Sequence, residues 1–200
     1  MRYFKESGFL VVWNGESVNF YEVDFKVQTP TYKKACPVLM TIPCSVFEDL
    51  TSKEDFVTDV LLFDHLHYIV LSTNYGNIRV YKWDPKKRSK KYIHTLKGHS
   101  RAITSLMPIA GRHKKSKLAG KAMFMKDQEQ STFVSAGIDG SIRIWCLEKL
   151  IELYNYDLQG EAAGMDESIR NVQLLNDKVF AVFLKSYRNR IDIGRISHLA

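Results

Sequence analysis

The run Asn77-Ile-Arg-Val-Tyr81 returns at residues 141–145 as Ser141-Ile-Arg-Ile-Trp145. Both copies alternate apolar with polar or aromatic residues, the mark of a strand with two distinct faces. Each follows a tight-turn cluster, Asn74-Tyr-Gly-Asn77 or Asp139-Gly140, and a short apolar run, Tyr68-Ile-Val-Leu71 or Thr132-Phe-Val-Ser135. A third, weaker copy is Ser17-Val-Asn-Phe-Tyr21, which follows Phe9–Trp13 and an Asn14-Gly15 hairpin signal. Upstream of the two main copies, Val57-Thr-Asp-Val-Leu-Leu62 resembles Ile103-Thr-Ser-Leu-Met107. A chain built this way is an array of similar small sheets, and its hairpins are to be read together.

The remaining runs fit the same pattern. Lys178–Lys185 and Arg190–Arg195 read as two more strands, and no window of eleven or more residues keeps a helical period. The stretch 110–130 is the best helix alternative, but Gly111, Gly120 and its scattered charges favour a loop. The sequence predicts an all-β protein.

One segment is more specific. It runs Thr95-Leu-Lys-Gly98-His99, then Ala102-Ile-Thr-Ser-Leu106, then Ser135-Ala-Gly-Ile-Asp139-Gly140-Ser-Ile-Arg-Ile-Trp145. A Gly-His opening, an Asp-Gly turn and a closing Trp resemble a WD40 repeat, with Cys146 where that family usually has Asp. The resemblance implies a β-propeller of four-stranded blades, their strands lettered a to d from the axis outward. It also implies a hydrogen-bonded structural tetrad within one blade, here His99, Ser135, Asp139 and Trp145. In the other units the motif is degraded: Tyr75 takes the Asp place and Tyr81 the Trp place, Tyr21 stands for Trp in the first unit, and Ile191 or Ile193 in the last.

On this reading residues 1–200 are one partial propeller domain of about three and a half blades. The pieces are 8–43, 56–97, 102–158 and 168–197, with a basic loop insertion at 110–130. The first piece is expected to open on strands b and c, with strand d near 35–43. A seven-bladed ring would need roughly 300 residues at about 40–45 per blade, so a fragment or truncated isoform of a longer propeller is expected.

Charge singles out one region. Residues 82–126 hold fourteen Lys and Arg and one acidic residue, Asp84, while the chain as a whole has a formal net charge of +7. The propeller geometry implied by the resemblance puts a–b and c–d loops on one face. The c–d loop of the second blade carries Lys86, Lys87, Arg88, Lys90 and Lys91. The a–b insertion of the third carries Arg112, Lys114, Lys115, Lys117 and Lys121. These ten residues are the candidate partner-binding face, on loops of the kind that carry binding residues. An acidic protein surface is the first expected partner. Nucleic acid is the alternative, though only Tyr92 and Phe124 lie near to stack bases, and acidic lipid is third. The run Lys86–Lys91 also fits a nuclear localisation signal, and Ser89 within it is a candidate phosphorylation site.

Other features exclude more than they propose. Ser135, His99 and Asp139 contain the residue types of a catalytic triad. The Asp follows the Ser by only four residues in a tight turn, there is no nucleophile elbow, and the tetrad explains the Trp as well. His65 and His67 have a metal-like spacing without a third ligand nearby and read as a turn. No phosphate-cradling glycine loop occurs. Trp13 and Trp83 read as packing residues. No cofactor, metal, small-molecule substrate or enzymatic activity is expected, and no apolar stretch reaches membrane-spanning length. Three cysteines, Cys36, Cys44 and Cys146, with no C-x-x-C pair, fit free thiols in a reducing compartment. A cytoplasmic scaffold is expected, with nuclear or ciliary settings as alternatives.

Overall fold

The computed structural model describes residues 1–14, 17–23, 38–43, 55–84, 87–109, 131–157, 168–176, 179–185 and 191–195. Their strands form four antiparallel sheets, each in simple chain order. The first contains β1 (Arg2–Phe4), β2 (Phe9–Trp13), β3 (Ser17–Glu22) and β4 (Val38–Pro43). The second contains β5 (Val57–Phe63), β6 (Tyr68–Thr73), β7 (Asn77–Asp84) and β8 (Ser89–Lys97). The third contains β9 (Ile103–Pro108), β10 (Thr132–Gly137), β11 (Ser141–Cys146) and β12 (Ile151–Asp157). The fourth has β13 (Ser168–Asn176), β14 (Val179–Lys185) and β15 (Ile191–Arg195).

Turn chemistry sets the repeated register. Gly76 and Gly140 have φ of 77° and 76°, and their N–H groups close on Thr73 and Gly137. A three-residue connection ending in a left-handed glycine joins antiparallel strands with matched twist. The result is the same pairing in both sheets: Leu71 faces Arg79, and Ser135 faces Arg143.

The sheets stack face to face, and the core lies between them in three layers. Phe9, Val11, Phe20, Ile69, Leu71 and Trp83 pack between the first and second sheets. Val70, Ile78, Val80, Ile103, Phe133 and Trp145 pack between the second and third. Val134, Ile144, Ile169 and Val172 pack between the third and fourth. Ile69 and Leu71 thus face one neighbour and Val70 the other, which accounts for the unbroken apolar run in β6. Strand β10 is buried at every residue, whereas β12, outermost in its sheet, is exposed at all but Tyr156. The innermost strands are neighbours, β5 beside β9 and β9 beside β13, so the stack fans out from one axis as propeller blades do.

The structure departs from the sequence reading at the start. The first sheet does not open on strand b. It has an innermost strand, β1, paired Arg2↔Val11 through Phe4↔Phe9, which lies before the expected boundary at residue 8. A three-residue strand carries no periodicity, and the Lys5–Gly8 turn that follows lacks an Asn-Gly or Asp-Gly pair. Long-range contacts hold it instead. The Arg2 guanidinium donates to the Val60 carbonyl (2.8 Å), the Leu106 carbonyl (3.2 Å) and the Asp59 carboxylate (3.0 Å), tying three sheets together. Asp59 also accepts the Leu106 N–H at 2.7 Å. Burial pushes the Asp59 carboxyl up, against the pull of Arg2.

The other tryptophans and the histidine pair behave as local structure. Trp83 is buried, and the Trp13 indole N–H donates to the Thr58 carbonyl at 3.1 Å. His65 and His67 belong to a 3-10 turn over Asp64–Leu66, closed by the His67 N–H on Asp64, with His67 left-handed at φ 57°. The insertion at 110–130 lies outside the described residues.

Candidate functional site

Two places carry the chemistry singled out from the sequence. The first is the polar interior of the third sheet. His99 arrives on the segment entering β9, Ser135 sits in the middle of β10, Asp139 in the β10–β11 turn and Trp145 near the end of β11. The structure brings these four side chains together. The Trp145 indole N–H donates to Ser135 Oγ at 2.7 Å, and Ser135 Oγ lies 2.7 Å from His99 Nε2. His99 Nδ1 lies 3.1 Å from both Asp139 oxygens. The sequence of donors assigns one tautomer: indole to hydroxyl, hydroxyl to Nε2, Nδ1–H to carboxylate.

Asp139 is the hub. Its carboxylate also accepts the N–H groups of Ser100 (2.9 Å) and Ser141 (3.1 Å), and the Ser141 hydroxyl at 2.9 Å. Burial alone would raise this carboxyl. The His99 Nδ1–H hydrogen bond, with the two backbone N–H groups, outweighs burial and holds it well below the usual carboxylate range. Two glycines make room for the chain. A Cβ on Gly137 would lie 2.6 Å from Asp139 Oδ1 and 2.7 Å from His99 Nδ1. A Cβ on Gly98 would lie 2.8 Å from the Arg143 guanidinium and 3.1 Å from the Trp145 ring. Arg143 in turn pairs with Glu152 across β11 and β12.

Residue type at Ser135 invites comparison with a nucleophile, but its hydroxyl is fully buried and already engaged by both His99 and Trp145. The network holds a turn to its sheet and presents no attacking atom to solvent. Sequence reasoning missed Ser141 and Ser100. The Asp139-Gly140-Ser141 order was the available signal, since an Asp side chain commonly accepts the N–H two residues on.

The second place is the tip of the β7–β8 ribbon. Of the ten basic residues predicted for a partner-binding face, Lys87, Arg88, Lys90 and Lys91 are described. Lys86, Arg112, Lys114, Lys115, Lys117 and Lys121 lie outside the described residues. Lys87, Arg88 and Lys91 are exposed, and Arg88 takes a left-handed φ of 50° in the turn. Lys90 is half-buried. Its Nζ donates to the Thr41 carbonyl of the first sheet at 2.6 Å, and burial lowers its pKa. Antiparallel pairing sets Lys82 opposite Lys91, Trp83 opposite Lys90 and Asp84 opposite Ser89. An open recess of about 460 Å³ lies here, lined by His67, Lys82, Trp83, Ser89, Lys90 and Lys91. Asp84 also lines it; its carboxylate accepts the Lys87 N–H at 3.2 Å and lies 4.0 Å from Lys87 Nζ. The a–b turn holding His67 and the c–d turn holding Arg88 therefore share one end of the sheet. At the other end, the b–c turn at Gly76 meets the His99 and Arg101 carbonyls of the segment entering β9.

Among the described residues no cluster of three metal-ligating side chains occurs, and no helix is long and apolar enough to cross a membrane.

No family model matches the chain, and no curated protein matches it. Among solved structures it is similar to the C-terminal WD40 domain of Sif2, with a TM-score of 0.57 and 13% sequence identity. That likeness covers 96% of this chain and 43% of the other, so the chain spans less than half of the Sif2 domain. Together with the stacked four-stranded antiparallel sheets, it gives the fold: a segment of a WD40-type β-propeller.

Proposed function

We propose that this propeller segment is a non-catalytic scaffold that binds other proteins through its loop faces, with the basic a–b and c–d face as the main contact. The observation that carries the reading is the cationic ribbon tip. It presents Lys87, Arg88 and Lys91 to solvent on a sheet packed on both sides, so its charges are held on a rigid support. The partner expected there is an acidic protein surface. By the WD40 resemblance, the insertion bearing Arg112, Lys114, Lys115, Lys117 and Lys121 is expected to add its charge to the same face. The polar network around Asp139 serves the fold, holding the b–c turn of the third sheet in place. The buried free thiol of Cys146 fits a reducing, cytoplasmic setting.

The test is an affinity pull-down from lysate with nuclease present, at low and high salt. The bait is the wild-type chain beside a variant carrying Lys86→Glu, Lys87→Glu, Arg88→Glu, Lys114→Glu and Lys115→Glu. Defined protein partners that survive nuclease and are lost with the variant are the expected result. Recovery of only RNA or DNA, released steeply by salt, would replace the scaffold with a nucleic-acid-binding module. Partners unaffected by the variant would move the contact to the opposite loop face.

A further inference from the structure

We propose that Ser89 is a phosphorylation site for a protein kinase that selects basic residues, and that its phosphate occupies the recess beside it and switches the cationic face off. The consequence for partner binding rests on the scaffold reading above; the modification itself does not.

Three observations converge on this serine. Its sequence context is Lys86-Lys87-Arg88-Ser89-Lys90-Lys91, three cations before the hydroxyl and two after. Its side chain is exposed at the first position of β8, which among the described strands is outermost in its sheet. It also lines a recess whose other walls include Lys82, Lys90, Lys91 and His67.

The recess is prepared for an anion. Directly opposed like charges on paired strands are unfavourable, and Lys82 and Lys91 are so opposed. Lys90 is half-buried beneath the tip, where its Nζ donates to the Thr41 carbonyl of the first sheet. Among the described residues Asp84 is the single carboxylate lining the recess, and it is engaged with Lys87 at the turn. A phosphate on Ser89 would add about −1.5 to −2 charge and three acceptor oxygens among these donors. The same charge subtracts from the field that an acidic partner would follow.

The chemistry is ordinary phosphoryl transfer. Ser89 Oγ attacks the γ-phosphorus of magnesium-bound ATP held by the kinase. The bond to the bridging oxygen breaks, ADP leaves with that electron pair, and the hydroxyl proton passes to the kinase base.

The experiment incubates the folded 200-residue chain with a basophilic kinase and labelled ATP, with a short basic peptide in the same tube to show that the kinase is active. Peptide mapping by mass spectrometry locates the label; wild type and Ser89→Ala run in parallel. Expected is near-stoichiometric label at Ser89 and its loss in Ser89→Ala. Label elsewhere, or none while the control peptide is labelled, would overturn the assignment. Phosphorylated and unmodified chains are then titrated with a fluorescent hexaglutamate peptide at low salt. At least tenfold weaker binding after phosphorylation is expected, together with a higher urea midpoint as the Lys82–Lys91 repulsion is relieved. Equal binding before and after would overturn the switch. If the unmodified chain does not bind the peptide at all, the acidic-partner reading falls, while the phosphate map still decides the site.

Discussion

In the third sheet the position facing Arg143 is Ser135, the residue two further on is Gly137, and the b–c turn carries Asp139. In the second sheet the matching places hold Leu71, Thr73 and Tyr75, with Arg79 facing Leu71. The strand pairing is the same; the filling is not. The third sheet runs a polar chain from Trp145 through Ser135 and His99 to Asp139. The second puts an apolar side chain in the middle, leaves Tyr75 exposed, and brings a carboxylate in from another direction. There Asp55, on the segment entering β5, lies 3.8 Å from Arg79, both side chains almost wholly buried. Sheet geometry in this stack therefore depends on alternation and the glycine turns, while the tetrad is one of two ways to occupy the space they leave. The glycine–threonine exchange shows the coupling. Gly137 has no room for a Cβ because Asp139 and His99 fill it, and where they are missing, Thr73 fits.

The sharpest way to break that comparison is at the closing aromatic residue. Trp145→Ala is expected to cost about 3–5 kcal/mol, since it removes a fully buried ring and leaves Ser135 without its donor. Urea unfolding measures it; a cost below about 1 kcal/mol would mean that the third sheet does not depend on its interior. Gly137→Thr, which gives the third sheet the residue of the second, is expected to cost about 2–3 kcal/mol by forcing His99 and Asp139 apart. Combined with Asp139→Ala, the same change should cost less than the sum of the two. Strict additivity would show that the clash is not what excludes a side chain there.

Ser135→Ala and Leu71→Ala remove matching positions by different mechanisms. The first strands the Trp145 N–H and His99 Nε2, at about 1–3 kcal/mol. The second opens an apolar cavity, at about 2–5 kcal/mol. The distinguishing readout is rescue: Ser135→Thr keeps the hydroxyl and should recover part of the loss.

The smallest effect is in pH dependence, where the two sheets have opposite signs. The Asp139 carboxyl is held below its ordinary value of 3.8. Its contribution is complete above that value and fades as pH falls through the folded-state value, so the third sheet is weakened by acid. Asp55 is pushed up, burial outweighing Thr73 and Arg79. The folded chain takes up that proton more readily than the unfolded chain. Between its raised value and 3.8, falling pH therefore adds stability. Asp139→Asn should flatten the acid limb of a stability–pH curve, and Asp55→Asn should steepen it. Equal slopes in both variants would remove the difference between the two carboxylates.

Much of this is legible in the sequence. His99, Ser135, Asp139 and Trp145 stood out through the resemblance of their segment to a WD40 repeat, which implies the tetrad. Apolar alternation located the central hairpin of each sheet, from Phe9 to Arg195, but not the outermost strands β8 and β12, which are mostly exposed. Strand β1 was not legible. Three residues are too short to show a period, and Arg2 earns its place only through Val60, Asp59 and Leu106, which are distant in sequence. Asp55 meeting Arg79 was hidden for the same reason, as was Ser141 joining the Asp139 hub through its hydroxyl.

By itself, the sequence determined what is local: strand faces, the glycine turns, the repeat, and the concentration of charge between residues 82 and 126. These follow from period-two alternation and the φ freedom of glycine, which act over a few residues. Tertiary structure decided which of a strand's faces meets which neighbour. It also decided that Lys82 lies across from Lys91 above a recess, that Asp139 is held low while Asp55 and Asp59 are held high, and that a terminal arginine clamps three sheets. Those outcomes depend on burial and on partners many residues away, and both exist only once the sheets have stacked.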